Sequence, residues 1–294
     1  MDTKRGHIIA NMTLERKMDF LGDICDIMGK KLTAAGYGNF IIPTTSWRTC
    51  PDRTIRIFWN IYSRSIQKKT RHVLKAPYTV PNEYIHAEKA ILEKVERGDS
   101  LRPHMSLNME NPFFDDDMLS DFNIHHFHLS LSPHKKNDKY LARTKDLLFA
   151  FVSNDSFYAI GIYDHNSWSK KDILEKMNTY FPEILKPFKA TGFKELNYEV
   201  DDDGRSRARR NHFNIATTLS DGSIVGPLGG GMTMSGLNSD VVDKILHTRR
   251  VAQNLTRKFL GFGHNIEQEN DILQVKLLSG KLISIQGYNV PDLC

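Results

Sequence analysis

Histidine is unevenly spread along this 294-residue chain: five of its twelve, His125, His126, His128, His134 and His165, fall between Asp121 and Trp168. Imidazole is the one side chain that titrates near neutral pH unaided, so such a concentration is a place to look for proton transfer. Side chains alternate along a strand. In the run Ile124–Leu131, Ile124, His126, His128 and Ser130 therefore share one face, and His125, Phe127, Leu129 and Leu131 share the other. The second face is mostly apolar and is expected to point at the core, which sets His126 and His128 side by side on the opposite one. Arg143 stands just before the next apolar run and His165 just after the third. Two imidazoles on one face, with a guanidinium and a third imidazole at neighbouring strand ends, would converge on one anionic group. The plainer reading is a row of polar residues on the wet face of an antiparallel sheet. The density of histidine puts the two readings on an equal footing.

These residues need a sheet to hold them. The runs Ile124–Leu131, Leu147–Val152 and Phe157–Tyr163 are short, aromatic or β-branched, and bounded by polar and turn-forming residues, as strands are. Ser153-Asn154-Asp155-Ser156 is turn chemistry. The expectation is an antiparallel three-strand meander. Before it, Thr13–Ala35 has the three–four apolar spacing of a helix, stopped by Gly36 and Gly38. Asn39–Thr45 and Thr54–Ile66 read as strands. Glu83–Arg97 reads as a helix closed by Gly98. Asp99–Ser120 reads as loop, and its Asp115-Asp116-Asp117 as a turn or helix N-cap rather than a magnesium site. After the meander come a helix, Asp172–Tyr180, and a hairpin of Asn211–Leu219 and Ser223–Val225 about Asp221-Gly222. A helix from Asp240 to Leu260 and a last hairpin, Ile272–Leu278 with Lys281–Tyr288, complete the chain. The class is α+β, in three segments: an N-terminal α+β segment 1–110, a central histidine-rich sheet 111–200, and a C-terminal α+β segment 211–294. The acidic–basic stretch 201–210 is the expected flexible boundary.

Composition is that of an ordinary globular protein, 40% hydrophobic and 26% charged. No apolar run is long enough to cross a bilayer, and the first residues lack a signal-peptide core. Cys25, Cys50 and Cys294 are too few and too scattered for a disulfide framework, which fits a reducing cytoplasm. The net charge is only +5, but basic residues bunch at 67–72, 133–136 and 205–210. Such bunches attract phosphate backbones or are simply solvated surface. The glycine-rich stretch 226–236 matches no phosphate-loop spacing and reads as a structural bend.

In layout, the run from His125 to Asp172 resembles the RelE/HigB-like toxin ribonucleases. The likeness lies in a histidine-bearing strand, then Arg143 ahead of Leu147-Leu148-Phe149-Ala150-Phe151-Val152, then Tyr158–Tyr163 leading into His165, Trp168, Lys170, Lys171 and the helix from Asp172. It is confined to residues 121–180. The terminal cluster here is His-Asn-Ser-Trp rather than a Lys/Arg pair, and the chain is much longer than a lone toxin of that kind. The resemblance implies a RelE-like centre that cleaves RNA without a metal or other cofactor. It also implies a bacterial growth-arrest or phage-defence setting, with RNA and a cognate antitoxin or inhibitor protein as partners.

Metal-free RNA cleavage needs a base for the 2′-hydroxyl, an acid for the leaving 5′-oxygen, and a fixed cation for the phosphorane. The expected assignment gives proton transfer to His126 and His128 and the phosphate to Arg143. His165 becomes a second acid/base or positioning group. Tyr163 and Trp168 would stack a flanking base, with Lys170 and Lys171 beside the substrate. Two other chemistries are open. His126, His128 and His165, completed by Asp164 or Asp121, have the make-up of a metal-dependent nuclease site. A non-catalytic nucleic-acid-binding regulator would use only the basic patches and the glycine-rich turn.

Overall fold

The computed structural model describes residues 19–40, 47–192, 195–260, 263–269, 271–277 and 279–294. The fold is α+β. In chain order the elements are α1 (Phe20–Ala34), α2 (Pro51–Arg64), β1 (His72–Lys75), α3 (Ile85–Arg97), α4 (Asp117–Phe122), β2 (Ile124–His128), β3 (Asp146–Val152) and β4 (Ser156–Asp164). Then follow α5 (Lys171–Tyr180), α6 (Pro182–Leu185), α7 (Asp202–Arg210), β5 (Thr217–Thr218), β6 (Ile224–Val225), α8 (Ser239–Phe259), β7 (Gly263–Glu269), β8 (Ile272–Leu277) and β9 (Leu282–Ser284). Two compact units form, one from Met1–Ser63 with Val241–Leu293, the other from Arg64–Asp240 with Cys294.

In the first unit, α1 starts where the Asp19 carboxylate accepts the Gly22 amide at 2.9 Å. Its buried stripe runs through Phe20, Ile24, Cys25, Met28 and Leu32, the spacing of a helix face. The expected start at Thr13 lies outside the described residues. So does most of the expected strand Asn39–Thr45, whose first residues end a 3₁₀ turn, Gly38–Phe40. The expected strand Thr54–Ile66 is corrected: Pro51–Arg64 is helical. Ile55, Ile57, Trp59 and Ile61 alternate as a strand would, but Ile55, Phe58, Trp59 and Tyr62 equally fit a helix face. Pro51 settles the contest, because its fixed φ suits the first turn of a helix. Trp59 is core, its Nε1–H donating to Thr248 Oγ1 at 2.9 Å. The strands β7, β8 and β9 form an antiparallel sheet. The hairpin expected after Ile272 is there, although its second strand is shorter than Lys281–Tyr288. β7 reads Gly-His-Asn-Ile-Glu-Gln-Glu, a polar run with no strand pattern in its sequence.

The second unit carries a four-stranded sheet in the order β1-β4-β3-β2. The meander of β2, β3 and β4 is antiparallel as expected, while β1 pairs in parallel with β4 and makes the sheet mixed. β1 gives little signal in sequence, being four residues long and following a basic stretch. His126 pairs with Phe149 and His128 with Leu147. Both faces of this sheet are covered, so the expectation of one wet face is corrected. Phe127, Leu148, Ala150 and Phe157 pack with Ala87, Ile91 and Val95 of α3. On the other face, Ile124, Leu147 and Phe149 pack with Met118 and Phe122 of α4 and with Ile173, Leu174 and Met177 of α5. Leu131 lies beyond the end of β2 and is exposed rather than core-facing.

The stretch 201–210, expected as a flexible linker, is the helix α7 inside this unit. The Asp201 carboxylate caps it by accepting the Gly204 amide at 2.7 Å. Asp202 and Asp203 occupy the first turn and Arg207, Arg209 and Arg210 the last, which is the charge order that opposes a helix dipole. Within the expected loop Asp99–Ser120, Asp116 caps α4 through the Leu119 amide at 3.0 Å. The hairpin expected from Asn211 is reduced to the two-residue strands β5 and β6. The glycine-rich bend lies against the end of α4: Leu228 N–H donates to Asp121 O at 2.7 Å and Gly231 N–H to Ser120 O at 2.9 Å.

Candidate active site

His126, His128, Arg143 and His165 line one pocket of about 390 Å³, together with Trp168. The sheet and its helices bring them there. β2 presents both histidines on the face packed by α4 and α5, and the loop ahead of β3 brings in Arg143. The turn after β4 carries His165 and Trp168. The pocket is also lined by residues not expected there, Asp115, Asp116 and Asp117 ahead of and within α4 and Ser206, Arg209 and Arg210 of α7, which form a further wall of it. The volume is within the range of small-molecule sites.

Two of the imidazoles, His128 and His165, are in opposite hydrogen-bonding states. His128 is 2% exposed. Its Nδ1 accepts the backbone N–H of Thr144 at 3.1 Å. Nδ1 must therefore carry a lone pair, and the ring proton sits on Nε2. Burial, then the positive groups around it, push its pKa down to about 3. At neutral pH His128 is a neutral ring presenting an N–H. His165 is set the other way. Its Nδ1 lies 2.7 Å from the Lys145 carbonyl oxygen, which can only accept, so Nδ1 is the protonated nitrogen and Nε2 of the neutral ring is a free base. The two ring centroids are 6.1 Å apart.

Trp168 anchors this corner. Its ring meets His126 edge-on at 4.9 Å and His165 at 5.6 Å, and stacks on Phe149 at 5.4 Å. His126 keeps a buried Nδ1 with no partner among the described residues. Burial also lowers its pKa, helped by the nearby His165 and Arg143. Arg143 is exposed and makes no hydrogen bond or ion pair with the described residues. Its guanidinium is free to meet an anion. Burial raises the Asp117 carboxyl pKa, and neighbouring Asp116 adds to the rise while Arg209 opposes it. That leaves a carboxyl able to carry a proton at higher pH than usual.

Arg209 is a structural pin of this wall. Its Nε lies 2.6 Å from Asp121 Oδ2, both side chains less than a tenth exposed. Nη1 donates to the Trp168 carbonyl oxygen, and the guanidinium sits 4.3 Å from the Phe122 ring centre. The signal for Arg209 was in the sequence, in the acidic-then-basic order of 201–210, which marks helix polarity.

Three of the expected substrate contacts lie elsewhere. Tyr163 stacks on Phe149 at 5.0 Å and donates to Asp172 Oδ2 at 3.1 Å, away from the pocket lining. Lys170 is exposed outside it. Lys171 borders a second cavity instead. Among the described residues no group of three or more His, Cys, Asp or Glu side chains is placed to hold a metal ion. The two carboxylates considered for such a site are engaged otherwise, Asp121 by Arg209 and Asp164 by Ser167 Oγ at 2.7 Å. Among the described residues no helix is long and apolar enough to cross a membrane.

In comparisons with known proteins, no family model, no curated protein and no solved structure matches this chain.

Proposed function

We propose that the protein is an endoribonuclease that cleaves RNA by attack of the 2′-hydroxyl, with no metal in the chemical step. The observation that carries this reading is the pairing of a proton acceptor, His165 Nε2, with a hydrogen-bond donor, His128 Nε2–H, in one pocket beside an unengaged guanidinium, Arg143. His165 takes the 2′-hydroxyl proton. The 2′-oxygen attacks phosphorus, the P–O5′ bond breaks, and a 2′,3′-cyclic phosphate forms. The 5′-oxygen takes up the proton from the imidazolium so formed at His165. His128 and Arg143 hold the non-bridging oxygens as charge builds on them, the task that preorganised donors perform best.

This division differs from the one expected from sequence. An imidazole whose pKa lies near 3 is not the proton donor at neutral pH, so His128 is assigned hydrogen bonding rather than proton transfer. Trp168 offers an aromatic edge for a base. The resemblance in sequence layout to toxin ribonucleases extends the proposal to a growth-arrest or phage-defence effector held in check by a cognate inhibitor.

The test uses purified protein and a total-RNA substrate with a chelator present. Fragments ending in 2′,3′-cyclic phosphate are expected from the wild type and not from His165→Ala. Intact RNA under all conditions, with or without added divalent ions, would sink the reading in favour of a non-catalytic role.

A further inference from the structure

Arg205, one turn before Arg209 on α7, is the odd group of the second unit. It is 1% exposed, yet its Nε and Nη1 have no hydrogen-bond partner among the described residues. A guanidinium keeps its charge and carries five N–H donors. Its neighbours answer it only in part: the Phe122 ring lies 5.5 Å away, the Asp121 carboxylate is bonded to Arg209, and Asp121 and Asp202 favour the charge through space while burial and Arg209 oppose it. A buried guanidinium whose N–H donors lack acceptors is costly to hold. Arg205 also borders a cavity of about 280 Å³, separate from the site above. Lys171, Tyr198, Glu199, Asp201, Thr217 and Thr218 line it too.

We propose that this cavity is a binding site for a phosphate group, free or on a small phosphomonoester, with Arg205 as its principal ligand and Lys171 beside it. A tetrahedral oxyanion supplies the acceptors that the orphaned nitrogens lack, and guanidinium–phosphate bonds are charge-assisted and strong. Hydroxyl-bearing Thr217 and Thr218 suit the same group. Two carboxylates share the lining. Asp201 is held back by its bond to the Gly204 amide. Glu199 is exposed, and the carboxylates within the chain that act on Arg205 are those of Asp121 and Asp202. The site is independent of the RNA-cleaving proposal. Its link to the other pocket is α7, whose next turn supplies Arg209, so a bound phosphate holds the helix that builds that wall.

The test is thermal melting of the full-length protein with inorganic phosphate, with adenosine monophosphate, and with sodium chloride at matched ionic strength. The expected result is a saturable rise in Tm with at least one phosphate compound and none with chloride. A rise with both means the phosphate alone is recognised. A rise with the nucleotide only means the ester body is needed. Arg205→Met keeps the apolar stem over Phe122, so it is expected to melt no lower than wild type without phosphate and to lose the rise. Lys171→Gln should weaken the apparent affinity about tenfold, by losing one charge-assisted contact. Arg143→Ala should keep the rise, which separates this site from the candidate active site. Absence of any phosphate-specific rise in wild type, or a rise that survives Arg205→Met, overturns the proposal. So does a Tm lowered equally by Arg205→Met and Glu199→Gln, which would make Glu199 the true partner. If Arg205→Met does not fold, calorimetric titration of wild type and Lys171→Gln decides: equal heats, or none, count against the site.

Discussion

His128 and His165 face one pocket with ring centroids 6.1 Å apart and their protons on opposite nitrogens. The backbone sets both: the Thr144 amide takes the Nδ1 lone pair of one ring, and the Lys145 carbonyl takes the Nδ1 proton of the other. Adjacent residues of one loop thus leave an N–H on His128 and a lone pair on His165.

The two rings should therefore fail differently when replaced. His165→Ala is expected to lower kcat about 10²- to 10⁴-fold, the usual worth of a general base. His128→Ala should cost about 10²-fold as a lost donor, and His128→Gln, which can place an N–H near the same spot, should recover much of that. Asp117→Asn, which removes a negative charge from the pocket lining, should leave the chemical step in place and tighten binding of the anionic substrate. Single-turnover cleavage of a defined RNA reads all three. Equal losses in His128→Ala and His128→Gln would deny His128 the donor role.

Acid should unfold the second unit through its histidines. Burial pushes His128 down to about 3 and fully buried His104, whose Nδ1 lies 3.1 Å from the His128 carbonyl oxygen, down to about 4. In the unfolded chain both titrate near 6.5. Their contribution to stability is complete above about pH 6.5, because neither state is then protonated, and is lost as pH falls toward the folded values. Each ring contributes a slope of up to about 1.4 kcal/mol per pH unit in that window. Urea titrations at pH 7.5 and pH 5 should show a clear loss at the lower pH. Unchanged stability would mean that these rings take up protons in the folded protein.

The Asp121–Arg209 pair should behave as a buried ion pair. Asp121→Asn or Arg209→Met alone is expected to cost about 3–5 kcal/mol, since each leaves a lone charge in a dry place. The double substitution should cost less than the sum, because the pair is coupled. Denaturant melts of the four proteins test it, and strict additivity would contradict it.

Gly229 has a steric duty. A Cβ there would come within 1.8 Å of the Leu119 carbonyl oxygen, and the chain cannot yield without moving α4. Gly229→Ala is expected to destabilise the protein by about 1–3 kcal/mol, as overpacking does. It should also weaken RNA cleavage by shifting the pocket wall that α4 carries. A wild-type melting curve would show that the bend moves freely.

The meander and its site were legible because period-two patterning is strong there. His126 and His128 could be placed on one strand face, and Arg143 and His165 at neighbouring strand ends, from the sequence alone; with Trp168 they line one pocket. What escaped reading has particular causes. Residues 54–66 carry both periods, and only the proline at the start of the helix breaks the tie. In 201–210 the charge content hid a helix whose two buried arginines depend on Phe122 and Asp121, more than eighty positions away. Nothing local announces such partners. Likewise the tautomers of His128 and His165 come from backbone groups of Thr144 and Lys145, which no side-chain pattern records.

The most direct measurement of the central claim uses a short RNA whose cleavage point has been mapped. A single 2′-deoxy nucleotide is placed on the 5′ side of that bond. Attack by the neighbouring hydroxyl requires that this substrate stay whole while the all-ribose one is cut. Cleavage of both at the same rate would contradict the account.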